Sequence, residues 1–279
     1  MRRKPLDVYF PGGFGQLRNT LAKLYFNLDR MSTNLYLVGG LVPEFLVTNK
    51  IAYLKEYLGT LDIDIAVELA VEKKADFNDF YPKLRSLGFE KQKTEDGLDL
   101  MSHSFIKHAP GNKKIILDLI VDDNFEPKAD KLLEIAPNVE AAKFRGVYLV
   151  FSDYLEKSIK MTNDTNIITI KIPNIVPFLT LKAFAYMDQD NGTAKDAFDI
   201  WYTIVNYEEG PDTVNKEIFK YKTNADAQDA FRTIKESFSN ESSRGTRDVV
   251  DILVRRYGLD RPRAIREVVS PLKLIEKYR

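Results

Sequence analysis

The chain is organised around Tyr36-Leu-Val-Gly39-Gly40, which is followed after twenty-one residues by Asp62-Ile-Asp64-Ile. Successive side chains of a β-strand point to opposite faces, so the two aspartates share one face and the apolar residues beside them occupy the other. Two neighbouring carboxylates are costly to bury unless they meet water, a cation or a ligand. A divalent metal bound by oxygen ligands meets that demand, and a solvated edge strand carrying surface acids is the alternative.

Local patterns predict a strand, a tight turn and a helix in front of the acidic strand. Leu35–Val38 is a short apolar run, and the two glycines after it permit a sharp turn and the close approach of a ligand. Helical spacing of apolar residues predicts helices over Leu17–Met31 and Leu41–Leu58. The earlier Gly12-Gly13 cluster predicts a turn, because it lacks both a preceding strand and the Lys-Ser/Thr ending of a phosphate-binding loop.

A third carboxylate lies in a later apolar strand. Leu98–Lys107 and Lys113–Val121 predict a β-hairpin, and Asp118 is the single acid within its second run. A buried acid there would need a partner such as a metal or a cation. The alternative is an exposed position, which we expect for Asp122 and Asp123. Three strand-borne carboxylates form the type of site that holds magnesium against a nucleoside triphosphate.

Composition indicates an ordinary globular protein and predicts two parts. The chain has 279 residues, 41 basic and 41 acidic side chains, and no cysteine. Zero net charge leaves no global field to attract nucleic acid, and the lack of thiols excludes disulfides and thiolate metal sites. Without a signal-like or membrane-spanning apolar run, we expect a cytoplasmic protein with no membrane partner. We predict a core over residues 1–172 and a helical domain over residues 173–279.

These motifs resemble the nucleotidyltransferase superfamily that includes DNA polymerase β. The likeness rests on three motifs: Val-Gly39-Gly40, Gly-Thr60-Leu-Asp62-Ile-Asp64-Ile and Leu-Asp118-Leu. The resemblance implies an α/β fold with a polymerase β-like mixed sheet and helices, and three aspartates that bind Mg²⁺ or Mn²⁺. It also implies that Asp118 helps to deprotonate the acceptor, and that Gly39, Gly40 and Thr60 contact the phosphates of a nucleoside triphosphate such as ATP. The gap between the glycines and the acids is longer than the family pattern.

A second set of motifs is similar to the AbiEii-type nucleotidyltransferases, which are toxins of bacterial toxin–antitoxin and phage-abortive systems. An apolar helix predicted around Lys182 is followed by Lys195-Asp196-Ala-Phe-Asp199, and the likeness spans about residues 35–205. It implies that Lys182 and Asp196 belong to the catalytic site and that Lys182 also binds the nucleotide. Family members often carry an arginine between these motifs, which the stretch Met187–Thr193 lacks.

The residues themselves leave the role of Lys182 open. An ammonium among apolar neighbours seeks a phosphate or a carboxylate, and a purely structural Lys182–Asp196 ion pair would satisfy it equally well. Asp196 and Asp199 lie three residues apart on a predicted helix, so they face about the same way, and either could be the functional acid.

The last third predicts helices over Ala225–Phe238, Asp248–Tyr257 and Pro262–Lys277 and is rich in arginine. Solvated helix faces explain such charges, and a local patch for an RNA acceptor is the alternative. Near the end of the predicted core, β-branched and aromatic content predicts strands over Phe144–Phe151 and Ile167–Ile172.

The patterns and resemblances together predict a magnesium-dependent nucleotidyltransferase that moves a nucleoside monophosphate from a triphosphate to an acceptor hydroxyl. The resemblance implies a toxin that acts on RNA such as tRNA, or on a protein, and that has a cognate antitoxin as a protein partner. Two alternatives stay open: an enzyme that modifies a small molecule such as an antibiotic, and a non-catalytic nucleotide-binding regulatory module.

Overall fold

The protein is an α/β protein with a mixed β-sheet, as the sequence predicts. The computed structural model describes residues 14–47, 51, 54, 57–69, 77–91, 102–109, 113–125, 130–162, 165–188, 192–273 and 275. The predicted turn at Gly12-Gly13 lies outside this part of the chain.

Two compact units make up the chain. The sheet unit contains the described residues of Leu6–Leu41 and Leu58–Pro173, and the helical unit contains those of Val42–Tyr57 and Asn174–Arg279. The last division between the units, after Pro173, therefore falls next to the predicted boundary at residue 172. The segment Val42–Tyr57 belongs with the helical unit, although the sequence places it inside the predicted core.

The sheet unit has nine strands in its described residues: β1 (Leu35–Val38), β2 (Asp62–Val67), β3 (Glu90–Lys91), β4 (Ser104–Ala109), β5 (Lys113–Asp122), β6 (Leu132–Ala136), β7 (Val139–Phe144), β8 (Tyr154–Lys160) and β9 (Ile167–Pro173). Their order across the sheet is β3-β4-β5-β2-β1-β9-β8, and the β6–β7 hairpin pairs with the end of β5 through β7. The sheet is mixed because β2 is antiparallel to β1 and parallel to β5.

In its described residues the sheet unit has three α-helices: α1 (Phe14–Leu28), α3 (Phe80–Ser86) and α4 (Tyr148–Ser152). The apolar residues of α1 that recur at helical spacing are buried, as predicted. Helix α1 contacts α3 and strands β8 and β9, so this stripe covers part of the sheet.

The described part of the helical unit has no strand and consists of α2 (Pro43–Leu46), α5 (Ile175–Met187), α6 (Ala194–Asn206), α7 (Pro211–Lys220), α8 (Ala225–Ser237), α9 (Arg244–Tyr257) and α10 (Arg261–Lys273). Helix α5 is buried on nearly all sides, which agrees with its almost uniformly apolar sequence. Helix α6 begins with a capping box, in which the side chains of Thr193 and Asp196 bind each other's backbone N–H groups.

Several predicted elements are confirmed. Strand β1 has the predicted bounds, the hairpin of β4 and β5 pairs in an antiparallel register, and β9 covers the predicted strand at Ile167–Ile172. Helices occupy most of each predicted helical segment in the last third, where α9 begins four residues earlier than expected and α10 ends at Lys273 in the described residues.

Two predicted elements are wrong. The helix predicted over Leu41–Leu58 is limited to α2 in the described residues, because Val47 is extended (φ −79°, ψ 124°). The strand predicted over Phe144–Phe151 ends as β7 at Phe144, and Tyr148–Ser152 forms α4. Leu149 and Val150 of this helix are buried, and tertiary packing outweighs the strand propensity of the segment. Within the described residues, no helix has the length and apolar character that crossing a membrane requires.

Candidate functional site

Strand register brings two of the predicted acids side by side in the sheet unit. Asp64 on β2 pairs with Asp118 on β5, and Asp62 pairs with Ile116 on the same strand. Paired residues of adjacent strands point to the same face, so alternation places all three predicted aspartates on one face. That face is half-buried, whereas Ile63 on the opposite face is fully buried. The three aspartates therefore share one side of the sheet.

Gly39 follows β1 and lies directly against Asp64. Its φ is +72°, in the left-handed region that favours glycine. A Cβ atom at this position would lie 1.8 Å from Oδ2 of Asp64 and 2.5 Å from its Cγ. The absence of a side chain thus makes room for the carboxylate. This contact ties the glycine motif to the acidic motif across the β1–β2 pair, although many residues separate them in sequence.

The other two predicted phosphate contacts lie close to these elements. Gly40 is a buried residue of the 3₁₀ turn Gly39–Leu41. Thr60 is buried too, and its Oγ1 accepts a hydrogen bond from the backbone N–H of Asp62 at 3.2 Å. This bond fixes the start of β2. A hydroxyl has one proton to donate as well as acceptor capacity, so the bond leaves Thr60 a donor.

The sheet face that carries Asp62, Asp64 and Asp118 offers oxygen ligands suited to a hard divalent cation. Carboxylate oxygens are the ligands that Mg²⁺ prefers, and the Gly39 contact provides space for one of them. In the described part of the chain, however, no three Asp, Glu or His side chains are grouped as the ligands of a metal ion. Binding one ion would require the three carboxyl groups to turn toward one another from the common face that the strands already provide.

Asp122 differs from the expectation of an exposed acid. It is buried, with Oδ1 accepting from the backbone N–H of Asn124 at 3.0 Å and Oδ2 from that of Tyr148 at 2.8 Å. These bonds hold the turn after β5 and the first turn of α4, because a carboxylate satisfies the unpaired N–H groups at such positions. The role of Asp122 is therefore structural.

Lys182 lies in a buried ionic network of the helical unit. Its Nζ is 3.0 Å from Oδ1 of Asp196 and 2.8 Å from Oδ2 of Asp199. The prediction that both acids face the same way is confirmed. The Lys182 ammonium thus has carboxylate partners in the folded chain, as expected if its ion pair with Asp196 is purely structural. A role of Lys182 in nucleotide binding stays a prediction.

Asp199 is the centre of this network. Its side chain is fully buried, and its Oδ2 is 2.7 Å from Nζ of Lys195, one helical turn earlier on α6. Its Oδ1 accepts a short hydrogen bond from the hydroxyl of Tyr57, to which Lys195 also donates at 3.2 Å. Burial and the Asp199 carboxylate raise the pKa of Tyr57 well above its ordinary value, so the phenol stays protonated. Two lysines and two aspartates leave the network without net charge.

Asp196 keeps its charge although it is largely buried. Burial alone would raise its pKa, but the Lys182 ammonium and the Thr193 side chain act in the opposite direction, and the net effect lowers the pKa below its ordinary value of 3.8. Oδ2 of Asp196 accepts from the backbone N–H of Thr193 at 3.0 Å and from its hydroxyl at 2.7 Å. Asp196 thus starts helix α6 and fixes Lys182 at the same time.

The predicted site residues form two groups. Gly39, Gly40, Thr60 and the three aspartates belong to the sheet unit, whereas Lys182 and Asp196 belong to the helical unit. Sequence reasoning missed Tyr57, which lies in a segment predicted as a helix and carries no local signal of a buried acid partner. The Lys195–Asp199 pair had a visible signal in its i, i+4 spacing.

Comparison with protein-family models, with curated proteins and with solved structures finds no match.

Replacing Gly39 with Ala should destabilise the fold by more than backbone strain alone. The left-handed conformation costs an L-residue about 1–2 kcal/mol, and the added Cβ also meets the Asp64 carboxylate. Gly88→Ala is the matched control, because its φ is +83° and its nearest neighbour, Cε of Lys107, is 3.9 Å away. In urea unfolding we expect Gly39→Ala to cost more than Gly88→Ala, and less in an Asp64→Ala background. Equal costs without coupling to Asp64 would contradict the contact.

Replacing Asp199 with Asn should lower the unfolding free energy by about 3–5 kcal/mol, since it leaves two buried lysines with Asp196 as their single counter-charge in the network. Asp229→Asn removes the carboxylate of an exposed pair with Arg232 and should cost at most about 1 kcal/mol. Chemical denaturation compares the two variants. Similar small losses in both would show that the network contributes little.

The stability contributed by Asp196 should disappear in acid. Because its pKa is lowered in the folded state, the unfolded chain binds the proton first, so this contribution is complete above the ordinary pKa of 3.8 and is lost as the pH falls through the lower folded value. We expect the gap in unfolding free energy between wild type and Asp196→Asn to be constant near neutral pH and to shrink below about pH 4. Urea titrations over a pH series measure this gap, and a pH-independent gap would refute the assignment.

Proposed function

We propose that the protein is a magnesium-dependent nucleotidyltransferase with a polymerase β-like fold. The observation that carries the proposal is the register of β2 with β5, which pairs Asp64 with Asp118 on the face that Asp62 shares, beside a glycine turn that leaves space for Asp64. Carboxylates from two adjacent strands that share a half-buried face supply the hard oxygen ligands that Mg²⁺ prefers.

The proposed reaction transfers a nucleoside monophosphate from a triphosphate to an acceptor hydroxyl. Asp62, Asp64 and Asp118 would hold Mg²⁺, or Mn²⁺, which when bound neutralises phosphate charge and lowers the pKa of the hydroxyl. Asp118 accepts the hydroxyl proton as the acceptor oxygen bonds to the α-phosphorus. The bond between the α-phosphorus and its bridging oxygen to the β-phosphorus breaks, and pyrophosphate leaves.

The remaining predicted residues bind the nucleotide in this proposal. Backbone N–H groups at Gly39 and Gly40 and the hydroxyl of Thr60 would donate to phosphate oxygens, which suits groups at a tight turn. In the helical unit, the ammonium of Lys182, held by Asp196, is the group that we assign to supporting the nucleotide.

The biological role that we propose is that of a toxin of the AbiEii type, with RNA such as tRNA as the acceptor and a cognate antitoxin protein as its inhibitor. This role follows from the resemblance of the Lys182 and Lys195-Asp196 motifs. A small-molecule acceptor is the competing substrate class, and the same labelling experiment distinguishes the two.

The test is incubation of the protein with labelled nucleoside triphosphates, Mg²⁺ and total cellular RNA. We expect label on RNA with the wild type, and none with Asp62→Ala/Asp64→Ala, because the carboxylates that hold the ion are gone. Asp212→Ala/Asp229→Ala removes two acids from α7 and α8 and should leave labelling unchanged. A chelator should abolish labelling by the wild type.

Label found only on small molecules of a lysate would replace RNA by the competing acceptor. Labelling that survives loss of Asp62 and Asp64, or no labelling of any acceptor despite nucleotide binding, would overturn the assignment as an enzyme.

A further inference from the structure

Positive charge is concentrated in the last two helices. Between Arg244 and Lys273 the chain carries eight Lys or Arg residues and four Asp or Glu residues, in a protein whose formal net charge is zero. All seven arginines of this segment are exposed at the surface of α9 and α10. This segment thus carries an excess of four positive charges in a chain whose formal net charge is zero.

One face of α9 gathers part of this charge into a ridge. Arg247, Asp251 and Arg255 follow one another at i, i+4 spacing, so they lie on the same side of the helix over about 12 Å. Asp251 forms its ion pair with Arg261 of α10, at 3.0 Å from Oδ1 to Nη1. We call these four residues the arginine ridge. Its three arginines surround one carboxylate and leave two positive charges in excess.

The two outer arginines of the ridge are the ones available to a partner. Within the described residues, Arg247 and Arg255 form no ion pair or hydrogen bond through their side chains, although Asp251 lies one turn from each. Asp251 is instead engaged by the next helix. The fold therefore directs the carboxylate that lies between the two arginines toward Arg261 of α10.

The chemistry of the ridge suits phosphate groups of a nucleic-acid backbone. Arginine presents a planar fork that binds phosphate oxygens bidentately, and it is weakly hydrated. A lipid surface is a poorer fit, because membrane-binding helices insert apolar side chains, and neither α9 nor α10 has an exposed large hydrophobic residue.

The exposed residues of α9 and α10 also indicate the form of nucleic acid. Single-stranded nucleic acid is usually held by stacking of bases on aromatic side chains. Neither α9 nor α10 exposes a large aromatic side chain to provide such a platform. A double-helical stem needs none, since it is recognised through the shape of its phosphate backbone.

We propose that the arginine ridge binds the phosphate backbone of a double-helical RNA stem, without reading its sequence. The inference deepens the proposed function, and rests on it for RNA as the acceptor, by assigning the structured part of that RNA to α9 and α10. Binding to a stem does not require the carboxylates of the sheet unit, so the two proposals can fail separately.

The test measures fluorescence anisotropy of a labelled RNA hairpin with a stem of about 20 base pairs, and of a single-stranded RNA of equal length, without nucleotide or metal. The variants are Arg247→Gln/Arg255→Gln and, as a control with the same charge change, Lys216→Gln/Arg232→Gln on α7 and α8. At roughly 100 mM KCl we expect the ridge variant to bind the hairpin about tenfold more weakly, and its slope of log K against log [KCl] to fall by about 2.

The control variant should stay within about twofold of the wild type, and thermal unfolding should show that both variants are folded. Asp62→Ala/Asp64→Ala should keep hairpin binding while it loses labelling activity, which separates this inference from the enzymatic one. Four results would overturn the proposal: hairpin binding unchanged in the ridge variant, equal losses in ridge and control variants, tighter wild-type binding to the single strand, or an equal loss of binding to phosphatidylserine vesicles or polyglutamate.

Discussion

The pairing of β2 with both β1 and β5 is the constraint on which the candidate site depends. Because side chains alternate along a strand, a shift of one residue would move Asp62 and Asp64 to the buried face and bring Ile63 to the half-buried one. The apolar residues of β2 therefore fix the position of its acids. The energy that holds the carboxylates in place comes from the hydrophobic face behind them, since Ile63 and Ile65 are fully buried.

In the helical unit the physical constraint is the compensation of buried charge. Its central helices are so apolar that any charge within them must be compensated inside the protein. Asp196 and Asp199 compensate two lysines, and Tyr57 donates to the remaining oxygen of Asp199 without adding charge. The same network supplies the start of helix α6 through Asp196, so electrostatic compensation and helix capping depend on one another.

The sequence was sufficient to predict an element where its local pattern is compatible with one type of structure. Leu35–Val38 and the acidic strand could be predicted from alternation and from glycine punctuation, and the common face of Asp62 and Asp64 follows from strand geometry alone. The partner of Asp64 could not be predicted, because register between β2 and β5 depends on the whole sheet. Helix α4 was mistaken for a strand because burial of its apolar residues does not depend on their strand propensity.

Other parts of the site depend on contacts that no local pattern contains. Sequence reasoning attributed the glycine at position 39 to a sharp turn and to the approach of a ligand. Its φ of +72° agrees with the turn, and the close neighbour in the structure is the Asp64 carboxylate. Asp122 has the same local signature as an exposed acid, yet it holds two backbone N–H groups of the following turn and helix. The neighbour of Gly39 is a side chain remote in sequence, and the partners of Asp122 are backbone N–H groups, so neither contact is visible in the local sequence.

The helical unit is discontinuous along the chain, because the described residues of Val42–Tyr57 belong to it together with those of Asn174–Arg279. The larger part of the sheet unit lies between these two segments and is synthesised before the second of them. During translation, Tyr57 leaves the ribosome well before Asp199, its buried partner. Strands β2 to β9 are therefore synthesised before the helix that carries the partner of this tyrosine. A fragment that starts at Asn174 would lack the phenol altogether, so the helical unit cannot be cut out as a C-terminal piece with its ionic centre intact.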